Sequence, residues 1–172
     1  MSVPSDFLRN PRGMLLTQKK SQYAIRALFE LSKKTGRGPV KISEIAEIQA
    51  IPIRFLEVIL HQLKGSGMID AKRGSYGGYY LVKPPDQITI GEVFRFLQGD
   101  FSIIKCDHCE KTKGACPFTG NCAFMPLWQE VRDAVSAIYN RTTLQDLLEN
   151  EKRVLEGQKP DYCRKRPPAK LS

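Results

Sequence analysis

Apolar residues recur at the three- and four-residue spacing of an α-helix in two segments of the first 65 residues. The first helix is predicted to stop near Gly36, and Ser43 is predicted to cap a short second helix. Pro52 suits the first position of a third helix because its φ angle is already helical. The stripes expected to be buried are Tyr23, Ala24, Ala27, Leu28 and Leu31 in the first helix, and Phe55, Leu56, Ile59, Leu60 and Leu63 in the third.

Two short strands are expected after the third helix, over residues 68–72 and 79–82. The glycines of the connecting segment, residues 73–78, permit the positive φ angles of a tight hairpin. Two helices joined by a tight turn and followed by a hairpin are typical of a winged helix-turn-helix, whose third helix enters the major groove. The predicted fold class is therefore mainly α with a small β-hairpin wing. The alternative is an ordinary core helix followed by a surface turn.

Three further helices are predicted in the second half of the chain. Thr89 and Glu92 have the spacing of a capping box, and the helix that they open should end near Gly99. Thr143 is expected to cap the last helix. Between them lies a longer helix, whose heptad-like seam predicts a two-fold dimer interface, or else packing against its own domain. The seam comprises Leu127, Val131, Ala134, Val135 and Ile138.

The charge changes this picture because it is concentrated at one end. The whole chain carries 27 Lys and Arg against 18 Asp and Glu, and residues 1–85 hold 14 of the former and 6 of the latter. A basic first half favours a polyanionic partner, although a solvated lysine-rich surface fits the charge as well. No apolar run reaches the ~18 residues of a membrane span. Residues 1–13 lack the apolar stretch of a secretory signal, so we expect a cytoplasmic protein with reduced cysteines.

Candidate metal chemistry lies in a segment where four of the five cysteines fall within 17 positions. These are Cys106, Cys109, Cys116 and Cys122, with His108 between the first two. Four thiolates suit tetrahedral zinc or an iron–sulfur cluster, and the spacing alone does not separate the two. Reduced thiols without metal are a third possibility. A dithiol oxidoreductase using Cys106 and Cys109 is a rival from another class, but the chain lacks the expected βαβ pattern. A zinc-stabilised adapter is a second rival.

Four short motifs in order resemble the BadM/Rrf-type winged-helix regulators, typified by IscR and NsrR, from about residue 14 to 154. They are the YAIRAL segment beginning at Tyr23, the wing from Arg73 to Leu81, Gly91-Glu92-Val93, and Cys116-x5-Cys122 followed by Trp128. The resemblance implies a homodimeric transcription factor that binds a pseudo-palindromic DNA operator. Many such regulators hold a [2Fe-2S] or [4Fe-4S] cluster that senses iron–sulfur status, nitric oxide or redox state. The resemblance therefore favours iron–sulfur over zinc.

The ligand set departs from the one that the resemblance implies. Cys116 and Cys122 match the second and third cluster cysteines, but Glu110 stands where the first is usual. Met125 and Gln22 stand where different members of the family place a fourth ligand. The resulting hypothesis is ligation by Cys106, Cys109, Cys116 and Cys122, with His108 in reserve.

DNA contacts are expected from the polar face of the third helix and from the wing. The candidates are Arg54, Glu57, His61 and Lys64 on the helix, and Arg73, Gly74, Ser75, Tyr76, Gly77 and Gly78 in the wing. The expected organisation is an N-terminal extension (1–13), the winged helix-turn-helix (14–85), a connecting helix (86–104), a cysteine segment (105–123), the dimerisation and last helices (124–156), and a basic tail that we expect to be disordered (157–172).

Overall fold

A computed structural model describes residues 11–99, 118 and 121–158 of the chain. The described residues form six α-helices, one two-stranded antiparallel hairpin and a short 3-10 turn, Pro85–Gln87. This confirms the predicted fold class, a winged helix-turn-helix that is mainly α. The elements are α1 (Pro11–Lys33), α2 (Ile42–Gln49), α3 (Ile53–Lys64), β1 (Ile69–Lys72), β2 (Gly78–Leu81), α4 (Ile90–Gln98), α5 (Met125–Arg141) and α6 (Leu144–Leu155). Helix α1 thus begins before the predicted domain boundary at residue 14.

The core lies where α1 and α3 cross, and both predicted stripes contribute to it. Ala24, Ala27, Leu28 and Leu31 of α1 are buried, together with Leu56, Ile59, Leu60 and Leu63 of α3, whereas Tyr23 is partly buried against them. Phe55 was predicted to belong to the stripe, but its side chain is exposed. It lies at the edge of the apolar face, where helical spacing alone does not decide between core and solvent. Leu144 of α6 completes the core from the far end of the chain.

The predicted helix caps have different outcomes. Thr143 caps α6, and its partner Asp146 completes a reciprocal capping box. Thr89 accepts from the Glu92 backbone N–H at 3.1 Å, but the Glu92 carboxylate pairs with Lys83 at 2.8 Å instead of closing the box. The prediction for Ser43 is wrong because the N-cap of α2 is Lys41, two residues earlier, and Ser43 lies inside the first turn of the helix.

Pro52 also lies one position from its prediction, since it is the N-cap of α3 and not its first helical residue. Its φ of −58° is nevertheless close to the helical value, so the proline still sets the direction in which α3 begins.

The hairpin pairs Ile69 with Leu81 at its base and Lys72 with Gly78 near its tip. A bridge that the sequence did not predict joins Val40, just before α2, to Tyr79. The Val40 N–H donates to the Tyr79 carbonyl at 2.8 Å, and the Tyr79 N–H returns a bond at 2.9 Å. These two bonds connect the wing to the start of the helix-turn-helix, and Tyr79 is partly buried against the core.

Helix α5 is attached to the body through α4. Gly91 of α4 is buried where a β-carbon would lie 2.1 Å from the Asn140 side-chain oxygen, so a larger residue would force the Asn140 side chain to move. The rings of Phe94 and Tyr139 stack with centroids 4.7 Å apart. The Ile90 N–H also donates to the Thr142 carbonyl at 2.8 Å. These contacts hold the C-terminal end of α5, and no residue of α5 is buried.

Candidate nucleic-acid interface and cysteine site

The polar face of α3 is exposed as the sequence predicts. Arg54, Glu57, His61 and Lys64 all lie on the side away from the buried stripe. Lys64 is not a free cation, because its ammonium pairs with the Asp70 carboxylate of β1 at 3.0 Å. The Ala71 backbone N–H and then Lys64 lower the pKa of Asp70, which keeps the carboxylate ionised. Lys64 therefore ties the end of α3 to the wing.

The turn that orients α3 is fixed by a polar network on α1. Arg26 donates from Nε to the Gln49 side-chain oxygen at 2.7 Å and from its terminal nitrogen to the Gln49 carbonyl at 2.5 Å. The Gln49 amide donates in turn to Glu30, which is buried. Buried carboxylates require such partners, since an unpaired buried charge is costly.

The same network reaches the last helix. Lys33 lies between Glu30 at 3.1 Å and Glu151 of α6 at 2.6 Å. Burial lowers the pKa of Lys33, but the bonds to Glu151 and Glu30 outweigh it and the net shift is upward. Sequence analysis missed this network because Arg26 and Glu30 lie 23 and 19 residues from Gln49. No local pattern signals a pairing over such a distance.

The wing presents polar and aromatic groups at its tip. Arg73, Ser75 and Tyr76 are exposed, Tyr76 by 91%. Gly74 adopts a φ of +111°, which glycine allows without strain. Gly77 and Gly78 are half-buried, and a β-carbon on either would lie 2.3 Å from a backbone oxygen. These two glycines have a packing reason independent of DNA, which the sequence pattern did not indicate.

Of the predicted metal ligands, Cys122 is the one that the structure describes. Its side chain is half-buried three residues before the first residue of α5, and its carbonyl accepts from the Met125 N–H at 3.2 Å. Cys106, His108, Cys109 and Cys116 lie outside the described residues, as do residues 159–172 of the basic tail, which include Cys163. Within the described ranges no three potential ligands come together. Cys122 thus stands at the junction between the cysteine segment, residues 105–123, and α5.

The predicted dimer seam on α5 is largely open. Leu127 is 49% exposed and Ile138 is 47% exposed, and Ala134 is exposed as well. Val131 and Val135 between them are half-buried. The packing of α5 on α4 therefore leaves an apolar stripe along the helix. Among the described residues, no helix is long and apolar enough to cross a membrane.

Comparisons with known proteins agree on one family. The Rrf2 family model, described as an iron-dependent transcriptional regulator, matches residues 17–150. The transcriptional regulator CymR of Bacillus subtilis is 34% identical over 128 residues, which cover 74% of this chain and 86% of CymR. The regulator IscR of Cronobacter sakazakii is 31% identical over 138 residues, covering 80% of this chain and 82% of IscR.

Solved structures give the same result. The structure of B. subtilis CymR, titled the global cysteine regulator, aligns with a TM-score of 0.59 and 33% identity, covering 74% of this chain and 92% of that one. The structure of T. potens IscR aligns with a TM-score of 0.63 and 28% identity, covering 83% of this chain and 90% of that one.

Proposed function

The chain belongs to the Rrf2 family of transcriptional regulators, and on that premise we propose that it is a homodimeric regulator whose operator binding depends on an iron–sulfur cluster. The family is not enzymatic, so the dithiol oxidoreductase alternative is excluded. The relatives are bacterial regulators, and a protein that binds chromosomal DNA in such cells works in the cytoplasm.

The exposed face of α3 supports DNA binding in the major groove. Arg54 can donate to guanine or phosphate, and Glu57 can accept from cytosine N4. The wing lies beside α3 and carries Arg73 at its tip, where a cation can contact phosphate or the minor groove. A dimer would bind a pseudo-palindrome with half-sites about 10 bp apart. Its affinity should fall steeply with salt as bound counterions are released.

The cysteine segment supports cluster binding by its donor set and its place in the chain. Cys106, Cys109, Cys116 and Cys122 supply four thiolates, which suffice for either cluster type. When bound, such a cluster would supply a centre that reacts with oxidants and nitric oxide. The segment connects α4 to α5, so a change in its conformation can alter how α5 lies relative to the DNA-binding body.

A second candidate is thiol or cysteine-status sensing without a cluster. It is favoured by the 34% identity to CymR, whose structure is titled a cysteine regulator. The absence of a cysteine at position 110 and of a histidine at position 125 also separates this chain from the IscR-like ligand pattern. Zinc bound by the same four thiolates is the remaining alternative.

The deciding experiment is metal analysis of protein purified without oxygen. We expect a brown protein that contains iron and acid-labile sulfide and that binds operator DNA differently with and without them. Cys122→Ala should lose the colour, and Cys163→Ala is the matched control that should keep it. A colourless protein that contains zinc would support the zinc site in place of the iron–sulfur cluster. A protein that contains neither metal would support the thiol sensor. Equal DNA affinity of the filled and empty forms would contradict cluster-dependent regulation.

A further inference from the structure

Val58 is the most exposed of the large apolar side chains of α3. It is 63% exposed, although the buried stripe of the same helix is fully shielded from solvent. It belongs neither to the core nor to the partly buried residues packed against the core in the described structure. A β-branched residue on an open helix face also has lower helix propensity than the long polar residues usual there. The fold therefore gives no reason for valine at this position.

The neighbours of Val58 are the predicted DNA-contacting residues. Arg54 lies four residues before it and His61 three residues after it, so all three share one side of the helix. Glu57 flanks this side. Val58 is thus surrounded by side chains that can donate to or accept from base edges, and it lies opposite the stripe that contacts the core.

Only one apolar group is presented by base edges in the major groove, the C5-methyl group of thymine. We propose that Val58 is a specificity-determining residue that contacts a thymine methyl in each operator half-site. The charges around it fit the same partner, because Arg54 and the basic first half of the chain attract the DNA backbone. The inference rests on the proposed DNA binding and adds which base this chain selects.

Selection from a random duplex library identifies the operator and tests the assignment of Val58 at the same time. The purified full-length protein should select a two-fold symmetric sequence with thymine at one position per half-site. Val58→Ala should select the same sequence with the preference at that position relaxed. Val82→Ala is the matched control, because Val82 is 57% exposed but lies after the wing, and it should leave every preference unchanged.

Removal of the methyl group itself provides the direct measurement. Replacing that thymine by deoxyuridine in one half-site should weaken binding of the native protein about fourfold, the value of one buried methyl. Replacement in both half-sites should weaken it roughly 16-fold, since separated positions add. The affinity of Val58→Ala should not change with either replacement.

The outcomes separate the two proposals. If the native protein selects no sequence, DNA recognition itself fails. If it selects a sequence but Val58→Ala keeps all its preferences, or deoxyuridine has no effect on the native protein, then the assignment of Val58 is overturned while DNA recognition stands. Circular dichroism of Val58→Ala should show native helix content, because alanine favours helix more than valine does.

Discussion

Ala50 is the described non-glycine residue with a positive φ, +48° with ψ +46°, in the turn between α2 and α3. This left-handed conformation costs an L-residue about 1–2 kcal/mol. Ala50 is held in this conformation because its N–H donates to carbonyls of α2 and because Arg26 fixes the neighbouring Gln49. The strain is thus imposed by the contacts that set the direction of α3.

Ala50→Gly should stabilise the protein by about 0.5–1 kcal/mol, because glycine adopts the left-handed conformation freely and loses only part of that gain to unfolded-state entropy. Ala50→Val should destabilise it, since a β-branched side chain fits this region poorly. Urea unfolding monitored by circular dichroism measures both. The control is Ala137→Gly in the exposed middle of α5, where the same exchange should cost about 1 kcal/mol. Destabilisation by Ala50→Gly would contradict the strain.

At the scale of single residues, sequence chemistry located the cap at Thr143 but failed at Ser43. A cap contributes about 1 kcal/mol, so a stronger tertiary constraint can displace it. The bridge between Val40 and Tyr79 is such a constraint, because it fixes the chain two residues before α2 and lets the helix begin at Ile42. The sequence around Ser43 does not reveal this bridge, because Val40 and Tyr79 are brought together only by the fold.

Among the helices, α6 gives the clearest expected dependence of stability on pH. The Asp146 carboxylate accepts from the Thr143 N–H at 2.7 Å and from the Thr143 hydroxyl at 2.9 Å. The backbone bond first and the hydroxyl bond second lower the pKa of Asp146 below its ordinary 3.8. A carboxyl with a lowered folded pKa stabilises the protein fully above the unfolded value, and this stabilisation is lost as pH falls through the folded pKa.

Asp146→Ala should therefore lower the free energy of unfolding by about 1 kcal/mol at neutral pH. The difference from the native protein should stay constant down to about pH 5 and narrow as the pH falls below 3.8. Thermal unfolding over a pH series measures it. Asp133→Ala is the control, because Asp133 lies on the exposed side of α5 and pairs only loosely with Arg132, at 3.6 Å. A difference that does not vary with pH would contradict the cap.

The helices and the hairpin could be predicted because apolar spacing and glycine positions are local. Phe55 shows the limit of predicting burial from spacing. Its position fits the apolar stripe of α3, but the packing of α3 buries Leu56 and leaves Phe55 exposed. Gly91 shows another, because its role depends on Asn140, nearly 50 residues away. The residues that orient α3 were missed for the same reason: Glu30 and Gln49 meet only when α1 and α2 pack together.

At the scale of the whole molecule, the polar face of α3 was predictable because it is the complement of the apolar stripe. The way in which α4, α5 and α6 pack around the DNA-binding helices could not be predicted, because it depends on contacts between distant parts of the chain. Helix α6 contacts α1 through Glu151 and Lys33, whereas α5 is attached to the body through α4. In the part of the chain that the structure describes, the seam of α5 is therefore largely exposed, and we expect it to form an interface with a second copy.

The seam spans Leu127 to Ile138, about 17 Å of helix at 1.5 Å per residue. This length is enough for α5 to pack against α5 of a second copy across a two-fold axis. A glutamate at Ile138 would place a charge inside such a contact, so Ile138→Glu should yield a monomer in analytical ultracentrifugation. The monomer should bind a two-half-site operator at least tenfold more weakly, because the second half-site is no longer linked to the first. Val154→Glu is the matched control, since Val154 on α6 has the same 47% exposure as Ile138, and it should remain a dimer. If Ile138→Glu remains a dimer, the interface lies elsewhere on the protein. If the native protein is already a monomer, the predicted dimer does not form.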